Sequence, residues 1–155
     1  MVVFTGLQAS GKSAFYRERF AATHEHVSKD RFRNNKNPNR RQRQLIEDAL
    51  GAGRSVVVDN TNPTAEERRS LVELGHELGA RVAGYYFEAE ARECIERNRG
   101  RRGKARVPNV AIYATAKKLV PPSRSEGFDE LFRVRVAGDE DGFRIGSFSC
   151  DAEGR

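Results

Sequence analysis

Residues 6–13 read GLQASGKS and fit the pattern G-x-x-x-x-G-K-[ST]. The stretch follows a short apolar run, MVVFT, and precedes a segment with apolar Ala14, Phe15, Phe20 and Ala21. A strand must feed this pattern and a helix must leave it, because its backbone N–H groups wrap a phosphate at a helix N-terminus. Gly6 and Gly11 give the main chain the freedom to curl. The N–H groups of Gln8, Ala9, Ser10, Gly11, Lys12 and Ser13 then point at phosphate oxygens. Lys12 reaches the outer phosphates, and the Ser13 hydroxyl is placed to ligate Mg²⁺. The expected ligands are therefore ATP, as a nucleoside triphosphate, and Mg²⁺.

The remaining pattern extends this start into a fold class. MVVFT reads as a buried strand ending at Gly6, and Ser13–Ala22 as the first helix. HEHVSK is a weak second strand. A helix should open near Pro38 and close at Gly51. RSVVVDN is a continuous β-branched run of the kind buried on both faces. In the next helix, Pro63 suits the first turn, Thr64 and Glu67 have capping-box spacing, and Gly79 closes it. RVAGYYF and AEARECIERN give a fourth strand and helix, NVAIYATAKKLV a further helix and LFRVRV a fifth strand. GFRIGSFSC suggests an extra edge strand, and the 151–155 tail should fray. Alternating strands and helices predict a three-layer α/β fold, with a mostly parallel sheet of about five strands flanked by helices. At 155 residues, one domain over 1–155 is expected.

Composition narrows the setting. No run of 18 or more apolar residues exists, so no membrane span is expected. Cys94 and Cys150 lack metal-ligand spacing, and two such thiols fit a reducing, cytoplasmic setting. The net charge of +6 is unevenly spread. Arg31, Arg33, Lys36, Arg40, Arg41 and Arg43 form one cluster, and Arg97, Arg99, Arg101, Arg102, Lys104 and Arg106 a second. Clustered arginine is the footprint of a phosphate-bearing partner, or else of a solvated face.

Two acidic residues stand out against this background. Asp30 follows the second strand and so reaches the carboxyl rim of the sheet, where doubly wound folds bind ligands. There it either accepts the proton of an attacking hydroxyl or caps the next turn. Arg33, three residues on, suits a phosphate on the acceptor. Asp59 ends the third strand at the same rim. It either holds a Mg²⁺ water or an arginine such as Arg33, or caps the helix after Pro63. Asn60, Thr61 and Asn62 either touch an acceptor phosphate or build the turn. The segment RNRGRRGKAR, about 98–108 with its flanks, is too rich in glycine and arginine to pack, and reads as a lid. Spacing alone does not choose among Arg99, Arg101 and Arg102. His24, His26 and His76 are dispersed and read as surface or strand-packing residues.

These residues together resemble the kinase domain of polynucleotide 5′-hydroxyl kinases, such as those of phage and of bifunctional kinase/phosphatase repair enzymes. The resemblance runs from Val2 to about Val136. It rests on the glycine-rich loop, the D-x-x-R element Asp30-Arg31-Phe32-Arg33, VDNTNP, the lid RGKARVP before a helix with Tyr113, and SEGFDELFRV. It implies a P-loop kinase fold that transfers the γ-phosphate of ATP to the 5′-hydroxyl of DNA or RNA ends. It also implies roles. Asp30 would be the base, Arg33 would grip the phosphate on the 3′ side of the receiving nucleotide, and Arg102, six residues before Pro108, would face the moving phosphoryl group. Two departures stand. No D-x-D-x-T phosphatase motif is present, and Lys29 occupies a position where the family often has arginine. The alternatives are a P-loop kinase of a small metabolite and a nucleotide-binding regulator that turns nothing over.

Overall fold

The computed structural model describes residues 1–138 and 142–148; Cys150 and the 151–155 tail lie outside the described residues. Strands Val2–Gly6 (β1), His24–Val27 (β2), Ser55–Val58 (β3), Ala83–Phe87 (β4), Glu130–Val136 (β5) and Phe143–Ser147 (β6) form one sheet, ordered β2-β3-β1-β4-β5-β6. The first five run parallel, and β6 returns antiparallel along β5. The sixth strand is the edge strand suggested by GFRIGSFSC.

Among the described residues five α-helices cover the sheet: Lys12–Arg19 (α1), Pro38–Gly51 (α2), Ala65–Glu77 (α3), Ala91–Arg99 (α4) and Asn109–Lys118 (α5). Successive strand residues face opposite sides, which divides the core in two. On β3, Val56 and Val58 point into one cluster with Ile46 and Ala49 of α2 and Leu71, Val72 and Leu74 of α3. Val57 points the other way, to Phe4 of β1 and to Phe15 and Tyr16 of α1. Both faces of the central strands are thus dry, which is why RSVVVDN carries no alternation of apolar and polar residues.

Helix ends follow local chemistry, with two differences from expectation. Asn37 Oδ1 accepts from the Arg40 amide at 3.1 Å, and Pro38 takes the first helical position, where its missing N–H costs nothing. Thr64 Oγ1 accepts from the Glu67 amide at 3.2 Å, so Thr64 is the cap and Pro63 precedes it rather than lying in the first turn. α1 ends at Arg19, short of Ala22, where the chain turns through 20–23 to enter β2. The arginine-rich segment, expected as loop, contains one 3₁₀ turn at Gly103–Ala105. Among the described residues no helix is long and apolar enough to cross a membrane.

Topology fixes where a ligand can sit. The chain leaving β1 crosses towards β2 on one side, while the chain leaving β3, its neighbour, crosses to β4 on the other. The two loops diverge at the carboxyl ends of β1 and β3 and open a crevice between them. The β3 side of that crevice, residues 59–63, is anchored from below by a fully buried arginine. Arg68 Nε and Nη2 donate to the two Glu126 carboxylate oxygens at 2.6 and 3.0 Å, and Nη1 donates to the Asn62 carbonyl at 2.9 Å. Glu126 Oε2 also accepts from the Ser123 amide at 3.1 Å.

Removing one partner of such a pair strands a charge in the core, at a cost of about 3–5 kcal/mol, whereas an apolar replacement of both can be neutral. Glu126→Ala should therefore lower unfolding stability by about that amount in urea titrations. The double variant Arg68→Met/Glu126→Leu should lose less than the single change. A loss under about 1 kcal/mol for Glu126→Ala would show that the pair anchors nothing.

Candidate active site

The loop between β1 and α1 has the shape its sequence requires. Gly11 has φ 104°, and a Cβ there would lie 3.1 Å from Phe143 and 3.2 Å from Val136. At Gly6 a Cβ would come within 2.9 Å of Phe87 Cβ and Ser10 Oγ. Among the described residues only Ala9 (φ 63°) and Asn62 (φ 42°) are non-glycine residues with positive φ. One lies in each crevice-forming loop, so backbone strain concentrates at this site. Gln8 Nε2 donates to Thr115 Oγ1 at 3.0 Å, and Arg97 Nη1 to the Ala9 carbonyl at 3.2 Å, which fixes the loop against α5 and α4.

The crevice is a cavity of about 690 Å³. Gln8, Ala9, Gly11, Lys12 and Ser13 line it from the glycine-rich loop, Asp30 and Arg33 from the segment after β2, and Asp59, Thr61 and Asn62 from the segment after β3. Lys12 is buried and donates to the carbonyls of Gly6 at 2.9 Å and Leu7 at 2.6 Å. Burial pushes its ammonium down to about 8; Asp59 opposes the shift, while Arg101 adds to it. An anion arriving in the cavity relieves that cost.

Asp59, only 4 % exposed, accepts on Oδ2 from Ser13 Oγ at 3.1 Å and lies 2.7 Å from His26 Nε2. Among the described residues no arginine pairs with it, and the helix after Pro63 is capped by Thr64 instead. His26 stacks on Tyr16 with ring centroids 4.1 Å apart. The pairing is absent from a reading of histidines by sequence spacing, and its signal is strand adjacency. β2 and β3 are neighbours with His26 opposite Val57, so Asp59, two residues on, shares the His26 face. The Ser13 hydroxyl and Asp59 carboxylate are hard oxygen donors of the kind Mg²⁺ takes alongside phosphate and water, so the residues fit that ion.

The Asp30 carboxylate caps nothing. The turn at Lys29–Phe32 is capped by Ser28, whose Oγ accepts from the Asp30 amide at 3.4 Å. Asp30 is left 79 % exposed, with its Oδ1 3.3 Å from Arg33 Nη2, which also donates to the Lys104 carbonyl at 3.3 Å. Arg33 thus bridges the rim to the arginine-rich segment.

The segment after β3 is tied at each residue. Asn60 Oδ1 accepts from the Lys29 amide at 2.9 Å, and Asn60 Nδ2 donates to buried Gln42 at 2.6 Å. The Thr61 carbonyl accepts from the Gly6 amide at 3.0 Å. Asn62 Nδ2 donates to the Phe4 carbonyl at 2.7 Å. Asn62 builds the turn through this bond, which commits its amide nitrogen to β1, and it also lines the cavity. Thr61 keeps its side chain at the wall.

The lid departs from expectation. Arg101 lines the cavity and donates to the Ala105 carbonyl at 3.3 Å, whereas exposed Arg102 is not among the lining residues. Arg102 is extended (φ −127°, ψ 155°), and neighbours along an extended chain point to opposite sides. The second arginine cluster is also less free than its sequence suggests. Arg97 and Arg99 pair with Glu93 and Glu96 one helical turn earlier, at 3.5 and 3.6 Å.

A glycine-rich loop at the end of a central parallel strand, a buried lysine and facing carboxylates define a P-loop domain with the kinase-like α/β fold. A family model described as AAA domain matches residues 1–122, and the chain belongs to that family. The chain is 26 % identical over 138 residues to the bifunctional polynucleotide phosphatase/kinase of Schizosaccharomyces pombe, covering 86 % of this chain but only 33 % of that protein. Its fold matches a gluconokinase from Sinorhizobium meliloti 1021 at TM-score 0.65 and 20 % identity, over 89 % of this chain and 83 % of the other. It matches a fungal RNA kinase at TM-score 0.68 and 15 % identity, over 91 % and 40 %.

The depressed Lys12 has a testable consequence. With a folded value near 8 against an ordinary 10.5, Lys12 carries its full desolvation cost below about pH 8. As pH rises above that, the native state sheds the proton before the unfolded state does, so stability should rise. Lys12→Met should remove that rise, seen as a growing difference between the two Tm curves from pH 8 to about 9.5. ATP with Mg²⁺ should raise the Tm of the wild type but not of the variant. Parallel pH curves would refute the burial argument.

Proposed function

We propose that this chain is an ATP-dependent kinase acting on the 5′-hydroxyl ends of DNA or RNA. The observation that carries the reading is Asp30, an exposed carboxylate committed to no cap, beside Arg33 in the same cavity as Lys12. Binding ATP requires no such group, which speaks against a regulator that turns nothing over. The acid-free run from Arg31 to Ile46 suits a chain of phosphates, and the S. pombe relative's name adds support.

Lys12 and the loop N–H groups of residues 8–13 hold the β- and γ-phosphates. When bound, Mg²⁺ supplies charge neutralisation at the phosphates, and Ser13 and Asp59 are the residues that would hold it or its waters. Asp30 takes the proton of the attacking 5′-hydroxyl as its oxygen forms the bond to the γ-phosphorus, and ADP leaves with the electrons of the broken bridge bond. Arg33 holds the acceptor's 3′-side phosphate, and Thr61 offers a hydroxyl at the wall. Arg101, rather than Arg102, faces the developing charge. A second reading, phosphorylation of a small sugar acid, is favoured by one fact: the gluconokinase fold is matched over most of its length.

Incubation with ATP, Mg²⁺ and either a 5′-hydroxyl oligonucleotide or gluconate separates the readings; transfer to gluconate alone would overturn the first. Asp30→Ala should lower kcat by about 10²–10⁴-fold with ATP affinity unchanged, and a twofold loss would remove it as base. Arg101→Ala should cost far more than Arg102→Ala, within the range of about 10³–10⁵ known for arginines in phosphoryl transfer. The reverse ranking would restore Arg102.

A further inference from the structure

A second concavity adjoins the catalytic cavity. It is a groove of about 520 Å³ between α2 and α3, and Lys29, Asn62 and Glu67 line both spaces. Its walls differ in chemistry. The α2 wall presents Arg40 and Arg43 with the amides of Asn37 and Asn39, and the floor is apolar Ile46, Leu71 and Leu74. The α3 wall presents Glu67 and Ser70. Arg43 is paired with Glu47 at 2.8 Å, but the side chains of Lys29 and Arg40 have no acidic partner among the described residues.

We propose that this groove holds the second and following nucleotides of the acceptor strand. The inference rests on the polynucleotide reading and extends it. Charge sets the polarity: the backbone phosphates run along the α2 wall past Lys29 and Arg40, where the positive charge lies. The bases turn to the other side, with a flat face on Leu71 and Leu74 and polar edges towards Glu67 and Ser70. Glu67, the one acid in the groove, would repel a phosphate but accepts a hydrogen bond from an exocyclic amine. A smaller cleft of about 380 Å³ beside Arg31, Phe32 and Lys104 leaves the cavity on the other side of Asp30. Phe32 and the cations Arg31 and Arg33 line it in place of an aliphatic floor, so it is the rival path for the strand, distinguished by Arg31→Glu.

The test uses the intact chain and 5′-hydroxyl acceptors of increasing length: a nucleoside 3′-monophosphate, a dinucleotide, a tetranucleotide and a decanucleotide. In the wild type, kcat/KM should rise roughly tenfold or more from the mononucleotide to the tetranucleotide, as each base engages a surface. Arg40→Glu and Ser70→Trp, both at exposed positions, should erase that gain and leave the mononucleotide rate unchanged. The affinity for a labelled tetranucleotide, read from anisotropy titrations, should fall by the same factor. The groove is refuted if both variants keep the length dependence, if the wild type shows none, or if Arg31→Glu alone removes it. Transfer to gluconate and to no nucleotide acceptor would overturn the polynucleotide reading itself, an outcome distinct from each of these.

Discussion

The buried guanidinium of Arg68 is the constraint on which the site depends. It has no exposed surface, and its five N–H groups must find acceptors inside the protein or cost several kcal/mol. Two Glu126 oxygens and the Asn62 carbonyl take three of them, one at each guanidinium nitrogen. One residue of α3 thereby joins the segment after β3 to the turn before β5, where Glu126 lies 58 positions beyond Arg68. Asn62 is held at positive φ, where asparagine pays a modest strain, and its side chain ties back to β1. The Thr61 carbonyl receives the Gly6 amide, so the first glycine of the phosphate loop hangs on the same strut. Two loops from neighbouring strands are thus set against each other before any ligand arrives, which is the condition for electrostatic preorganisation.

Preorganisation here opposes stability. Lys12 is desolvated against Asp59 and the loop carbonyls, Ala9 is left-handed without being glycine, and Ser10 Oγ and His26 Nδ1 are buried with no partner among the described residues. Each feature is unfavourable in the free protein; Ala9, Ser10 and Lys12 belong to the loop after β1 and the start of α1, and His26 stands on β2 against Asp59. The sheet beneath supplies the compensation, with β1 buried along its whole length and an aromatic cluster of Phe4, Phe15, Phe20, Tyr85 and Phe87 behind the loop.

What was legible in the sequence was local. GLQASGKS, the helix start near Pro38, the cap at Thr64 and the carboxylates Asp30 and Asp59 after their strands depend on a few adjacent residues, and the continuous apolar run of β3 announces its own burial. What was not legible depends on which strands become neighbours. His26 and Asp59 meet only because β2 lies beside β3, and Arg68 meets Glu126 only after the sheet closes. The choice of Arg101 over Arg102 turns on which side of an extended residue faces inward, which neither composition nor spacing fixes. The pairing of Arg97 and Arg99 with Glu93 and Glu96 was readable from helical spacing. It is hidden only when arginines are counted as a run from Arg97 onward.

The rim has the opposite character to the strut. Its contacts, Arg33 to Asp30 and Arg33 to the Lys104 carbonyl, are both 3.3 Å long and solvent-exposed, and such contacts are individually worth little. They exchange readily for a stronger partner. On the proposed reading, an acceptor phosphate draws the Arg33 guanidinium away, because the two free oxygens of a phosphodiester share its charge and offer a bidentate surface that the single carboxylate oxygen held at 3.3 Å does not. The Asp30 oxygen that Arg33 held is then released beside the acceptor hydroxyl, and the lid loses its tether to the empty rim. Binding the correct acceptor would in this way uncover the base that acts on it. A fold shared with kinases named for sugars and for RNA would thereby take its selectivity from exposed, weakly held rim residues, while the strut below stays the same.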